Sequence, residues 1–466
     1  MGIGNLLDVA SRALSVYQDA MSITGQNISN ANNTDYSKQK VIFASDVTVG
    51  GTGNGVKIAD IERVRNTLID TQVQNYQSTL SDSTKRSDSL QQIESVLDEP
   101  STDGLSTYFT NFFNSFSQLT ATPNSTSLRL NVIQQAQQLS TRFKEVIDGI
   151  LTVQSSLQSD ASADVTSING YLKDICQYNR EIKAATIQGT NTNQLKDERD
   201  AEITKLSSLI NISVKQGNYG VATVNVAGLQ GADEQGYNQF QLASVNGQMR
   251  IASQNDSTNY GIVNSGEMNA ILDLFNNKIP SYKSNFDTLA NVFVDQVNSI
   301  HMSGNTLVQG SVSSTGIPFF GKLDSSGKVI NAYQDGVLNI NTDISNNSNN
   351  IAASATANTD SNGDVANQIS QLGDSKLTSL NGKSILDYYN TVLNNEGTEK
   401  VSADNSVTSS TAILKSLQKQ QSSTSGVSSD EEMTNVLVYQ RSYEAAAKLV
   451  SIANDMLTTI INMVTT

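Results

Sequence analysis

Along the first thirty residues the apolar side chains fall at Ile3, Leu6, Ala10, Ala13, Tyr17 and Ala20, and polar Thr24 and then Asn27 or Ile28 continue the same three-four step. That spacing predicts an amphipathic helix whose seam packs on another helix in coiled-coil fashion. The far end of the chain repeats it at Met433, Val436, Gln440, Tyr443, Ala447, Val450, Asn454, Leu457, Ile461 and Val464, eight of the ten apolar. Isolated helices draw most of their stability from burying an apolar face, so the two are expected to pair. Ala10, Ala13 and Ala447 permit close approach, Gln440 and Asn454 are placed to fix register, and Leu6, Leu14, Tyr17, Val450, Leu457 and Ile461 are the expected knobs. Spacing alone leaves two arrangements open, an intramolecular helix hairpin and a seam shared with other subunits.

Between the ends, helical periodicity dominates residues 60 to 210, with Leu90, Ile93 and Leu97 on one stripe, a break at Pro100, and Phe109, Phe112, Phe113 and Phe116 on an aromatic face read as core. Leu130, Ile133, Ala136, Leu139 and Phe143 continue it, as do Leu172, Ile175, Ile182 and Ile187. From about 209 to 265 the period becomes two, and Asn246-Gly247 marks a hairpin. Helical spacing returns at Ile271 and runs to Phe293, and a second loop-rich, strand-like stretch covers about 305 to 364. The expected architecture is mainly α with a β-rich insert. A terminal coiled-coil-like domain comprises 1–40 with 426–466, a helical rod comprises 41–208 with 266–304 and 365–425, and a small outer β domain comprises 209–265 with 305–364.

Composition narrows the chemistry. The net charge is −15, which argues against nucleic acid as a partner, and only 16% of residues are charged, leaving a neutral, hydrogen-bonding surface. One His, His301, and one Cys, Cys176, cannot furnish a zinc site or an intrachain disulfide, so no metal, cofactor or catalytic residue is expected. No apolar run is long enough to insert into a membrane, and Met1 to Asp8 lacks the basic and apolar regions of a cleaved secretory signal. Asn381-Gly-Lys-Ser384 lacks the first glycine of a phosphate loop, and Ile369 stands where a calcium loop beginning near Asp360 needs its Glu. The Gly50–Gly55 run reads as a turn, and Asp197, Arg199 and Asp200 read as solvated helix pairs worth about a few tenths of a kcal/mol each.

Several stretches are nevertheless recognisable. Gln26-Asn-Ile-Ser-Asn-Ala-Asn-Asn-Thr-Asp-Tyr-Ser-Lys-Gln39, Gly53 to Arg65, and Gly426-Val-Ser-Ser-Asp-Glu-Glu-Met-Thr-Asn-Val-Leu-Val-Tyr-Gln440 with Ser442-Tyr-Glu-Ala-Ala-Ala447 resemble the terminal signatures of the bacterial flagellar axial proteins. The interior stretches Asn193 to Asp200, Asp287 to His301, Pro318-Phe-Phe320 and Ile351 to Ser354 are similar to the members at the hook-filament junction. One departure is Asn33-Thr-Asp-Tyr36, where the family usually has Thr-Pro-Gly-Tyr, so Asp35 is expected to take a positive φ.

The resemblance implies a non-enzymatic structural subunit, exported through the flagellar type III channel to the extracellular flagellum without a cleaved signal. It would add to the distal end of the hook, assemble with copies of itself, and template a second junction protein, hook-associated protein 3, and flagellin. An export chaperone on the C-terminal helix is implied as well. The assembly interface would comprise Leu6, Ala10, Leu14, Tyr17, Val436, Gln440, Tyr443, Ala447, Val450, Asn454, Leu457 and Ile461. Two rivals are a hook- or rod-type axial component and a flagellum-associated wall hydrolase.

Overall fold

A computed structural model describes residues 2–47, 53–310 and 312–464. Helix α1 (Ile3–Ser29) ends in the Asn-rich turn. There Asp35 accepts no left-handed strain: its N–H donates to Asn33 Oδ1, and none of the described non-glycine residues with positive φ lies in this turn. A side-chain-to-backbone bond therefore does locally what the missing glycine was expected to do. Strands β1 (Gln39–Val47) and β2 (Gly53–Arg63) then pair antiparallel from Gln39↔Arg63 outward. The tip of that hairpin, including Gly50 and Gly51, lies outside the described residues.

The rod is built on α2 (Thr67–Leu97), α3 (Leu105–Ala121), α4 (Thr126–Ile187) and α5 (Asn193–Leu209). At 62 residues, α4 is roughly 90 Å long at 1.5 Å per residue. Its inward stripe, Val132, Ile133, Ala136, Leu139, Phe143 and onward to Ile182, is buried throughout. Leu130 is not part of it: the side chain is 54% exposed, and neighbouring Arg129 turns inward instead. The phenylalanines of α3 form the densest part of the core, Phe112 meeting Phe293, Phe319 and Phe320 edge-on or tilted.

Strands β3 (Ile212–Gln216), β4 (Ala222–Val226) and β5 (Leu229–Ala232) form one sheet, and β6 (Phe240–Val245) with β7 (Gln248–Ser253) another. Asn246 and Gly247 both have positive φ, so the hairpin turn is the one expected. Helix α6 (Glu267–Asp273), a π turn at Leu274–Lys278 and α7 (Ile279–Ser303) return along the rod.

Among its described residues the second strand-like stretch holds only two-residue strands, β8 (Lys322–Leu323) with β9 (Val329–Ile330) and β10 (Tyr333–Gln334) with β11 (Val337–Leu338), followed by α8 (Thr342–Asn346) and α9 (Asp364–Gln371). Among the described residues the two blocks share no sheet: each pairs its strands locally and docks at its own level of α4. Asn169 and Asn179 hold the first block through Phe240 and Ala222, whereas Arg129 holds the second through the carbonyls of Ser348 and Ile351. Helix α10 (Ile385–Ser425) runs back along α2 and leads into α11 (Ser429–Val464), which pairs with α1. Cys176 is buried in the rod.

Candidate assembly interface and its anchor

The pairing of α1 with α11 follows the first helix's predicted seam closely. Ala10, Ala20, Thr24 and Asn27 are buried, and Leu6, Leu14 and Tyr17 are half-buried. On α11 the seam is rotated. Val436, Tyr443, Val450 and Leu457 are half-buried as expected, but the fully buried positions are Glu432, Ala446 and Ala453, with Tyr439 half-buried between them. Gln440, Ala447 and Asn454, each one residue further on, are exposed, as is Ile461. Gln440 fixes no register, since its amide donates to Glu444 one turn along its own helix.

The rotation has two causes. Alanines at 446 and 453 let the backbones approach, and a polar pin holds Glu432 inward. Asn27 Nδ2 donates to Glu432 Oε2 at 3.1 Å and to the Gln39 carbonyl at 2.8 Å, while Asn27 Oδ1 accepts from Tyr36 and from the Gln39 N–H. Lys38 adds ion pairs to Glu431 and Glu432 at 2.8 and 3.3 Å. Burial pushes the Tyr36 hydroxyl up to about 12, so it remains a donor throughout the neutral range. A buried polar pin is a known way to specify register in a helical pair.

A second apolar stripe on α11 is left uncovered. Val438, Leu449, Ile452, Met456, Ile460 and Met463 are between 40% and 74% exposed. At 100° per residue they share one face, centred about 90° around the helix from the buried line. The pair thus has one seam closed within the chain and one apolar face directed outward.

A cluster of charged side chains links the terminal unit to the rod, beside hydrogen bonds from Asn193 to the Ile61 carbonyl and the Gln39 side chain. Asp197 and Asp200 on α5 receive Arg63 and Arg65 from the end of β2: Arg63 lies 3.1 Å from Asp197 and 2.7 Å from Asp200, and Arg65 lies 2.8 Å from Asp200 and 3.0 Å from Asp70. Arg199, 2% exposed, bonds Asp200 and the Gly220 carbonyl. Ser37 donates its N–H and hydroxyl to Asp197. The expectation of solvated helix pairs is therefore overturned, because the partners arrive from residues far away in sequence and leave both carboxylates largely buried. Burial raises the Asp197 carboxyl. Burial also opposes the charge on Asp200, but Arg199, Arg63 and Arg65 outweigh it and hold that carboxyl below its usual range. The visible signal was the proximity of Arg63 to Arg65 and of Asp197 to Asp200, which does not reveal that they meet.

Elsewhere the chemistry-bearing residues are structural. His301 is fully buried, accepts the Ala352 N–H at Nε2, and donates from Nδ1 to the Ile317 carbonyl. Asn381 and Gly382 form a left-handed turn ahead of Ser384, the N-cap of α10. Asp360 caps the Val308 N–H. Among the described residues no cluster of three or more His, Cys, Asp or Glu side chains is arranged to hold a metal ion, and no helix is long and apolar enough to cross a membrane.

Comparison with known proteins agrees with this architecture. The profile described as the flagellar hook-associated protein FlgK helical domain matches residues 90–320, and that of the flagellar basal body rod FlgEFG protein C-terminal region matches 418–463. Flagellar hook-associated protein 1 of Bacillus subtilis is 27% identical over 98% of this chain and 97% of its own length. The protein of that name from Salmonella typhimurium is 23% identical over 99% and 100%. The chain belongs to the flagellar hook-associated protein 1 family. The fold agrees as well: the flagellar hook junction protein FlgK from Burkholderia pseudomallei superposes with a TM-score of 0.62 at 16% identity, over 76% of this chain and all of that one. Members of the hook-associated protein 1 family are structural flagellar proteins, and this chain is a flagellar component. The charged anchor and the outward stripe are thus features of a building block.

Proposed function

We propose that the chain is the subunit that joins the flagellar hook to the filament, and that it assembles through its terminal helix pair. The carrying observation is the outward stripe of α11. Large side chains from Val438 to Met463 are exposed along about seven turns of one helix face, whereas other exposed apolar side chains, such as Leu68, Leu130, Ile187 and Ile262, are spread over different elements. An apolar face of that length on a folded helix is stabilised by packing against neighbours.

In this reading subunits pass through the flagellar export channel, add to the distal end of the hook protein, and pack on copies of themselves. They then present the surface on which the second junction protein, hook-associated protein 3, and flagellin build. Before that, an export chaperone covers the stripe. The interface combines the half-buried Leu6, Leu14, Tyr17, Val436, Tyr443, Val450 and Leu457 of the closed seam with the outward residues. Ala10 supports it from within, and Gln440, Ala447, Asn454 and Ile461 flank it. No residue has a catalytic role.

The test is incorporation at hook tips. The double variant Leu449→Glu, Ile452→Glu is expected to fold, with unchanged circular dichroism, and to leave hooks without junctions or filaments. Normal filaments on cells carrying that variant would refute the proposal.

A further inference from the structure

The chain has eight methionines, of which Met1 lies outside the described residues. Met249 and Met268 are buried in the rod, at 6% and 0% exposure, and Met21 and Met302 are half-buried. The remaining three, Met433, Met456 and Met463, are 54%, 48% and 74% exposed, and all three sit on α11. Met456 and Met463 are two turns apart within the outward apolar stripe, beside Ile452 and Ile460. Among the described residues the most exposed thioethers are therefore concentrated on one helix, and two of them on the face that the proposed function assigns to assembly.

We propose that Met456 and Met463 are a peroxide-sensitive modification site, whose oxidation in the free subunit blocks its entry into the assembly; this rests on the reading of the stripe as an interface. A sulfur lone pair of the thioether attacks one oxygen of hydrogen peroxide and the O–O bond breaks. The sulfur gains an S=O bond and gives up two electrons, and the peroxide leaves as water after proton transfer. The product is polar and chiral where the stripe was apolar, and methionine sulfoxide reductases reverse the change. Packing a neighbour over two sulfoxides requires stripping water from both, whereas packing over two thioethers gains from their burial. The stoichiometry of one oxygen per residue makes the response graded. Once a neighbour covers the face, the same residues are shielded, so sensitivity belongs to subunits not yet placed.

The experiment treats the purified full-length subunit with graded hydrogen peroxide and maps added oxygen by peptide mass spectrometry. Addition to hook ends is measured in parallel. Met456 and Met463 are expected to oxidise ahead of Met21, Met249, Met268 and Met302. The oxidised subunit should keep its thermal transition but need about tenfold more protein to assemble, the change that 1.4 kcal/mol of lost interaction produces. The double variant Met456→Leu, Met463→Leu, measured against its own untreated assembly threshold, should show no further rise with peroxide, and a sulfoxide reductase should restore the wild type. Oxidation at Met249 or Met268 as fast as at Met456, an unchanged assembly threshold after oxidation, or equal peroxide sensitivity in the leucine variant would each overturn the proposal. If the untreated Leu449→Glu, Ile452→Glu variant assembles normally, the interface reading fails and the redox site falls with it. If that variant is blocked while the sulfoxide form assembles, the redox inference alone fails.

Discussion

Replacing Asp200 by alanine should release the terminal unit from the rod while leaving the rod folded. Its two oxygens serve three guanidiniums: Oδ2 accepts from Arg63 at 2.7 Å and Arg65 at 2.8 Å, and Oδ1 from Arg199 Nε and Nη2 at 3.2 and 3.0 Å. Removing one partner of a buried ion pair costs about 3–5 kcal/mol, because the other charge stays buried without compensation. Here the lower end applies. Arg63 keeps Asp197, Arg65 keeps Asp70, and Arg199 keeps the Gly220 carbonyl, while Arg63 and Arg65 are 14% and 17% exposed. A cost of about 3 kcal/mol corresponds to roughly a hundredfold in the local opening equilibrium.

Native-state hydrogen exchange reads this directly. Amides of β1, β2 and the segment around Arg65 should exchange about a hundredfold faster in Asp200→Ala, while those of α3 and the adjoining stretch of α4 should not change. Glu198→Ala, which removes a carboxylate engaged only by Gln194 at the surface, should alter nothing by more than about 0.5 kcal/mol. The direction with pH is fixed by the lowered Asp200 carboxyl. Its contribution is complete above the ordinary carboxyl pKa, about 3.9, and is lost as pH falls through the still lower folded value. Exchange in β1 and β2 within twofold of wild type would refute the anchor, as would acceleration spread evenly through the Phe core.

Glu432→Ala removes the acceptor that draws α11 onto Asn27, and should loosen α11 by about 1–3 kcal/mol, seen as faster proteolysis within residues 429–464. Asp164 is buried with Oδ2 lacking a partner, because Lys85 pairs with Asp160 and Glu267 instead; burial, then repulsion from Glu267, raises its carboxyl to about 7. A raised carboxyl loses its stabilising share as pH rises from about 3.9 toward that value, so Asp164→Asn should stabilise the rod by about 1–3 kcal/mol at pH 8 and much less at pH 4, measured by urea unfolding at both. His301 has the opposite sign: burial lowers it to about 4, so the neutral folded form loses stability as pH falls from about 6.5 to about 4, by roughly 1.4 kcal/mol per unit, then levels off. A His301→Asn variant should lack that slope when compared with wild type over the same window.

These sites differ in how visible they were beforehand. The α1 seam was legible because a single three-four stripe of apolar residues admits one inward face, and Ala10, Ala20 and Asn27 lie on it. On α11 two adjacent stripes are apolar, so counting apolar positions does not choose between neighbouring rows: the three-four step points to Ala447, whereas Ala446 is the buried residue. Steric fit and the Asn27 to Glu432 bond, which spans 405 residues of sequence, made the choice. The anchor was hidden for the same reason: Arg63 and Asp200 are 137 residues apart. Local periodicity reports which face of an element is apolar, but says nothing about which distant charge will meet it. Which strands of the two strand-prone blocks pair is likewise not legible, because such blocks look alike whether they pair with each other or each with itself.

The division between polar and apolar contacts follows what each joint has to do. Charged residues are only 16% of the chain, yet several buried or half-buried ones gather where one part of the fold is oriented on another: Arg129 against the Ser348 to Ile351 loop, Arg63, Arg65 and Arg199 at the foot of the terminal unit, and Glu432 at the helix pair. Such contacts contribute little net stability over an apolar substitute, but they are directional, and a wrong orientation leaves a buried charge unpaired. The outward face of α11 has the opposite character. Its aliphatic and thioether side chains form no directional bond, so successive neighbours can pack on it at slightly different angles without leaving a polar group unsatisfied. An anchor that sets the angle of the terminal unit, with a face that tolerates variation in what covers it, suits a subunit placed between two differently built parts of one structure. The arrangement also predicts an asymmetry between substitutions: changes at Asp197 or Asp200 should misdirect assembly in a folded protein, whereas conservative apolar exchanges along the stripe, such as Leu449→Met, should be absorbed.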